Sequence, residues 1–343
     1  MRNHSLAGFG RPAYAVAALF SALLLTLAAV PPRIHLSPRL VEGETLRYRI
    51  ETETTTKGQT STPIVNPEAA TRVKQTANLI LRLNILDVAA AVQGAMPRTR
   101  VRITYEKSNA TSESDAYDPR AAALDDQFGN LQGRFMEFTI QPDGKLSNIT
   151  GLEDLFSTPS AQQAASSWMA GITFGARFPH DGITPGQKWN SEELLAGSPL
   201  RGLAWRTQSQ YLRDELCASS NPPSQASSAT QTGKDSSTPD ACAVILTRFE
   251  IVRHGSSHGD ATPDDYLRSG LRTSGAWTGH GESLNSISIQ SGLLVVSTES
   301  VSQDMDYEIK SAVSGSTLHY KGHTDSQSQI TLLPESEASS RLP

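Results

Sequence analysis

Strictly alternating apolar and polar residues recur along this chain, and they commit it to strands. Leu46, Tyr48 and Ile50 alternate with Arg47, Arg49 and Glu51. Leu79, Leu81, Leu83 and Ile85 alternate with Arg82 and Asn84, and Val101, Ile103 and Tyr105 with Arg100, Arg102 and Thr104. Met136, Phe138 and Ile140 repeat the pattern around Glu137 and Thr139, as do Ile287 and Ile289 around Ser288. A period of two sends successive side chains to opposite faces, so each run has one dry face and one wet face. Antiparallel sheets with a single buried face read this way. The fold class expected is therefore mainly β: an antiparallel curved sheet or sheets with one covering or connecting helix.

The helix is expected between Leu152 and Phe174. Thr158, Pro159 and Ser160 make a start signal, AQQAASSWMAGI follows, and Trp168 and Met169 would face inward. Residues 111–130 and 255–272 read as loops, and 334–343 as a frayed tail.

A second level of order lies above the strands. FTIQPDGKLSNI, from Phe138 to Ile149, matches ISIQSGLLVVS, from Ile287 to Ser297: a strand, a Gly-containing turn and a second strand. VEGETLRY from Val41 matches TPGQKWNS from Thr184, each with a Gly, a polar pair and an apolar residue leading into a strand. The matches sit at nearly equal offset, 186 − 43 = 143 for the glycines and 289 − 140 = 149 for the isoleucines. This predicts two similar halves, 36–150 and 176–333, joined by a connecting helix at 151–175. The segments DYEIKSA and TLHYKGHTDSQSQITLL would be strands added to the second half.

Taken together, GETLRY, TIQPDGKL, the helix and ITPGQKW resemble a domain-of-unknown-function family of exported bacterial β-rich proteins. The resemblance spans roughly residues 36–333. It implies an exported antiparallel β protein, often membrane-tethered, and carries no activity with it.

The N-terminus points to the same compartment. Between Ala13 and Val30, sixteen of eighteen residues are apolar and none is charged. Arg2 and Arg11 precede this run and Arg33 follows it. Residues 1–30 read either as a cleaved signal peptide or as a retained membrane anchor. In both cases the N-terminus would face the cytoplasm. The remainder would be periplasmic or on the outer face of the inner membrane.

Only two cysteines are present, which excludes a dense disulfide scaffold and a four-cysteine zinc site. Cys217 ends one strand-like run and Cys242 begins another. The intervening 218–241 is rich in Ser, Thr, Pro and Gln and reads as a disordered insert. In an oxidising compartment the two cysteines are expected to form a disulfide across its neck.

Catalytic and metal signatures are sparse. The formal charge is −5 and aromatics make up 6%, a poor basis for neutralising nucleic-acid phosphates. HExxH, GxxxxGK[ST] and GxGxxG motifs are missing from the sequence, and no GxSxG elbow surrounds Ser283. His254 and His258, beside Asp260, Asp264 and Asp265, come nearest to a metal-ligand set, but Gly and Ser around them do nothing to preorganise it. His280 has Ser283 nearby as a conceivable nucleophile, without a partner acid. His319 and His323 would share a strand face roughly 13 Å apart, too far to share an ion. Asp304 and Asp306 read as a wet sheet face, and Glu153 and Asp154 as favourable charges at a helix start. No catalytic residue, cofactor or metal is expected. The function expected is non-enzymatic, with a lipid or other hydrophobic molecule as ligand. A structural or protein-interaction module is the alternative and a hydrolase the second alternative. Protein partners are not indicated.

Overall fold

The computed structural model describes residues 33–62, 70–89, 97–115, 128–142, 144–155, 162, 169, 178–179, 181–195, 197–217, 240–255 and 262–334. The residues of 1–30, of the insert 218–239 and of the tail 335–343 lie outside these, as do His258, Trp168 and Asp143. Among the described residues, no helix is long and apolar enough to cross a membrane.

Eleven strands form one curved, unclosed antiparallel sheet. They are β1 (Thr45–Ser61), β2 (Thr71–Val88), β3 (Thr99–Ser114), β4 (Phe135–Ile140), β5 (Leu146–Thr150), β6 (Lys188–Leu194), β7 (Leu203–Leu216), β8 (Ala241–Arg253), β9 (Leu271–Ser288), β10 (Leu294–Ser311) and β11 (Thr317–Leu332). Their order is β5-β4-β3-β2-β1-β11-β10-β9-β8-β7-β6. Read from the β6 edge, the sheet is a single meander from β6 to β11 that continues into β1 to β5. The first and last strands therefore meet in the middle. β1 and β11 pair from Tyr48 opposite Leu332 to Ser61 opposite His319. The chain crosses from one edge of the sheet to the other between β5 and β6.

Alternation then sorts the side chains into a core face and an open face. On the core face, Tyr48, Ile50, Leu79 to Ile85, Val101 to Tyr105 and Met136 to Ile140 interlock into the larger cluster, joined by Leu152 and Met169. Leu36, Ile183, Tyr211, Ala243, Ile245 and Ile287 make a second cluster on the same face. Each fully buried aliphatic side chain contributes about 1.5–3 kcal/mol, so these rows dominate the stability. A strap at 34–40 ties the clusters together: Leu36 enters one and Leu40 the other. The strap is fixed by an Ile34–Ile183 bridge and by the Arg39 amide donating to the Ser291 carbonyl at 2.8 Å. From Ile34 onward the chain is one unit.

The two matched sequence segments before β1 and β6 fold into the same turn. Gly43 and Gly186 both take positive φ, 83° and 84°, which only glycine adopts without strain. Each donates its amide to a buried residue one strand further on, Gly43 to the Ile85 carbonyl of β2 at 2.9 Å and Gly186 to the Tyr211 carbonyl of β7 at 2.7 Å. The Val41 and Thr184 amides donate to the side chains of Glu44 and Gln187, each at 3.1 Å. Both hairpins turn at a glycine of positive φ, Gly144 (77°) between β4 and β5 and Gly292 (70°) between β9 and β10, but the turns differ: the Gly144 amide donates three residues back to Gln141 and the Gly292 amide four residues back to Ser288.

Several strand limits differ from expectation. β1 runs on to Ser61 and β3 to Ser114, into segments without apolar alternation. Both are held by neighbouring strands and by paired hydroxyls, such as Thr54–Ser326 at 3.0 Å and Thr56–Thr324 at 3.1 Å. DYEIKSA is the far end of β10, not an added strand. The expected loop 255–272 contains a short helix, Asp264–Arg268, and the start of β9. Of the connecting helix, Leu152–Leu155 is a single turn, and Gln162 and Met169 are helical.

Candidate functional site

Beyond the packed core, the core face changes character along β7 to β11. Strand register lays its side chains in rows. Val301, Gly281 and Phe249 form one row. Gln303 and Gly279 belong to the next, with Ile251 opposite Trp205 on the neighbouring strands. Gly58, Gly322, Met305 and Trp277 follow, and Tyr320, Tyr307 and Gly275 come last. Large side chains thus lie beside glycines. A Cβ on Gly58 would meet the Tyr320 hydroxyl at 2.9 Å, and one on Gly279 would meet Ile251 Cδ1 at 2.9 Å. Such glycines let an aromatic ring lie flat on the backbone.

The aromatic rows are half-buried. Trp205 meets Phe249 edge-on with centroids 5.2 Å apart, and Tyr307 meets Tyr320 at 5.3 Å. Trp277 Nε1 donates to Gln303 Oε1 at 2.9 Å. Leu195, Leu200 and Leu203 close one corner against Ile251, Trp277 and Tyr307. Among the described elements, each strand's extensive contacts are with its sheet neighbours, and the Asp264–Arg268 helix touches β9. No second layer among them spans these rows.

The same face over β1 to β3 is polar, with Thr54, Thr56, Gln75 and Ser112 where the other half has aromatics. Ser108 is 5% exposed, and neither its Oγ nor that of Ser112 has a hydrogen-bond partner among the described residues. Glu299 stands between Ser328 and Ser283 at the boundary. Its side chain keeps solvent contact, yet desolvation by the surrounding face raises its carboxyl above the ordinary range. An apolar wall beside a hydroxyl-lined wall can hold an amphipathic molecule by contact and hydrogen bonding.

The region between the sheet and the turn at Leu152 is different. Met136, Phe138, Ile140 and Met169 pack there as solid core.

The residues singled out in the sequence fall as follows. Cys217 and Cys242 form a disulfide with Cα atoms 4.9 Å apart, clamping the ends of the paired strands β7 and β8. His254 is exposed and its Nε2 contacts Glu192. His258 lies outside the described residues, so its relation to His254 does too. Among the described residues no group of three His, Cys, Asp or Glu side chains is placed to hold a metal. His280 faces out on β9 opposite Ser302 and Glu250, while Ser283 is buried on the core face. Three residues apart on a strand, the two point in opposite directions and cannot form a base and nucleophile. His319 and His323 share the open face, where they contact Asp306 at 2.7 Å and Asp304 at 2.8 Å. Asp304 and Asp306 are therefore partners of a histidine ladder.

The aromatic rows went unnoticed in the sequence. Their one signal is SGAWTGHGES, in which Gly275, Gly279 and Gly281 all fall on one strand face. No protein-family model and no curated protein matches this chain.

Proposed function

We propose that this is an exported binding protein that holds a lipid or similarly amphipathic molecule on the aromatic and hydroxyl-lined half of its core face. The carrying observation is the set of half-buried aromatics, Trp205, Phe249, Trp277, Tyr307 and Tyr320, that continue the core face past its packed core. Apolar surface left outside a core is costly unless something covers it. The neighbouring hydroxyls suit the polar end of such a ligand. The disulfide and the apolar run at 13–30 support a place outside the cytoplasm, in keeping with the exported family that the chain resembles. The two matching turns at Gly43 and Gly186 support an origin by duplication, with β11 added to join the halves.

Native mass spectrometry of protein purified from its own envelope under non-denaturing conditions tests the reading. A co-purifying mass that organic solvent extracts as a lipid is the expected result. Protein of sequence mass alone, which also takes up no added lipid, would overturn it.

A further inference from the structure

The geometry points to a second surface: an arginine patch on the open face that docks on an anionic lipid bilayer. Arg47, Arg49, Arg82, Arg100, Arg102 and Lys107 gather where β1 starts, β2 ends and β3 starts. Glu51, Glu106, Glu137 and Asp87 lie among them, so six positive charges face four negative ones, leaving +2 in a chain whose total is −5.

One carboxylate sits beneath two guanidinium groups. Glu137 accepts from Arg100 Nη2 at 2.5 Å and from Arg102 Nε and Nη2 at 2.8 and 2.6 Å. Its side chain is 12% exposed, against 57% and 43% for those arginines. Glu106 pairs with Arg47, at 2.9 Å, and with the more exposed Arg82, at 3.4 Å. The charge presented outward is therefore mostly positive. Phe135 emerges at the β4 side of the patch, 51% exposed, with the Arg102 guanidinium 4.8 Å over its ring. An aromatic ring among arginines suits the headgroup level of a bilayer.

The location selects a membrane over a soluble partner. The strap 34–44 leads into β1 at this same end of the sheet, and the apolar run 13–30 precedes it by only a few residues in sequence. At the other end the open face carries Asp304, Asp306 and Glu308 on β10.

The test uses the full chain reconstituted in vesicles. A fluorophore is placed at Phe135→Cys, the single free thiol beside the Cys217–Cys242 disulfide. A second preparation carries it at Val313→Cys, in the exposed β10–β11 turn. Vesicles are of phosphatidylcholine alone or with about a third phosphatidylglycerol, and carry a headgroup quencher. Quenching at 135 with the anionic vesicles, weak quenching at 313, and loss of the signal in high salt are expected. The triple change Arg49→Gln, Arg100→Gln and Lys107→Gln should abolish it, whereas Arg248→Gln, Arg272→Gln and Lys310→Gln should not. Equal quenching in neutral vesicles, or none in anionic ones, would overturn the proposal. So would binding of soluble polyglutamate at 135 without any response to anionic vesicles, which would assign the patch to an acidic protein. None of these outcomes depends on the ligand site of the core face.

Discussion

The Phe249 ring lies over Gly281 so closely that the backbone there has no room for a Cβ. The Ser300 carbonyl closes the same space from the adjacent strand. Gly281→Ala must push the ring or the strand aside, and overpacking of this kind costs about 1–3 kcal/mol. Urea unfolding of the variant should show a lower midpoint at unchanged slope. An unaltered midpoint would mean that the ring does not rest on this glycine.

The disulfide closes a separation of 25 residues between Cys217 and Cys242. In the chain-entropy description, a loop of that size contributes roughly 3–4 kcal/mol. Reduction should lower the unfolding midpoint accordingly. The unfolded, unreduced protein should show no reactive thiol, and two would contradict the bridge.

Ser108 has a buried Oγ without a partner among the described residues. An unmet hydroxyl costs more buried than absent. Ser108→Ala should leave stability unchanged or raise it by up to about 1 kcal/mol, as read by thermal unfolding. A clear loss would reveal a partner for this hydroxyl.

His323 places Nδ1 2.8 Å from Asp304 and Nε2 3.0 Å from Asp325. The Asp304 contact leads in raising its pKa above the ordinary 6.5. A raised histidine adds stability that is complete below 6.5 and is lost as pH climbs through the folded value. Because the pair is solvent-exposed, the effect is less than about 1 kcal/mol. His323→Gln should flatten that slope. Glu299 has the same sign for a different reason: desolvation disfavours its charge, so it weakens the fold as pH rises from 4.5. Glu299→Gln should therefore be the more stable protein at neutral pH. Chemical-denaturation curves across pH check both variants, and a Glu299→Gln variant less stable than the parent at neutral pH would contradict the second.

Much of the sheet was legible because its packed rows alternate cleanly. Leu46 to Ile50, Leu79 to Ile85 and Met136 to Ile140 all reached the core face as their spacing required. The far halves of β1 and β3 were hidden, since Thr and Ser hold them there through the ladder instead of through burial, whereas β11 could be read over its whole length. The central pairing of β1 with β11 was also invisible. Nothing local in Tyr48 or Leu332 marks a partner at the other end of the chain. The disulfide could be read from the strand-like runs that flank its insert. The aromatic rows could not, because Trp205, Phe249, Trp277 and Tyr320 lie on separate strands and meet only through register. The His280–Ser283 pairing failed on strand parity, which sequence proximity conceals.

The central claim is that these rows hold an apolar ligand, and a fluorescent polyene fatty acid tests it most directly. Titrated into the delipidated protein, it should bind saturably, quench Trp205 and Trp277, and be displaced by envelope lipid extract. Trp277→Ala and Phe249→Ala should each weaken it about tenfold or more, as expected for losing a buried aromatic contact. Equal binding by parent and both variants, or no saturable binding at all, would contradict the account.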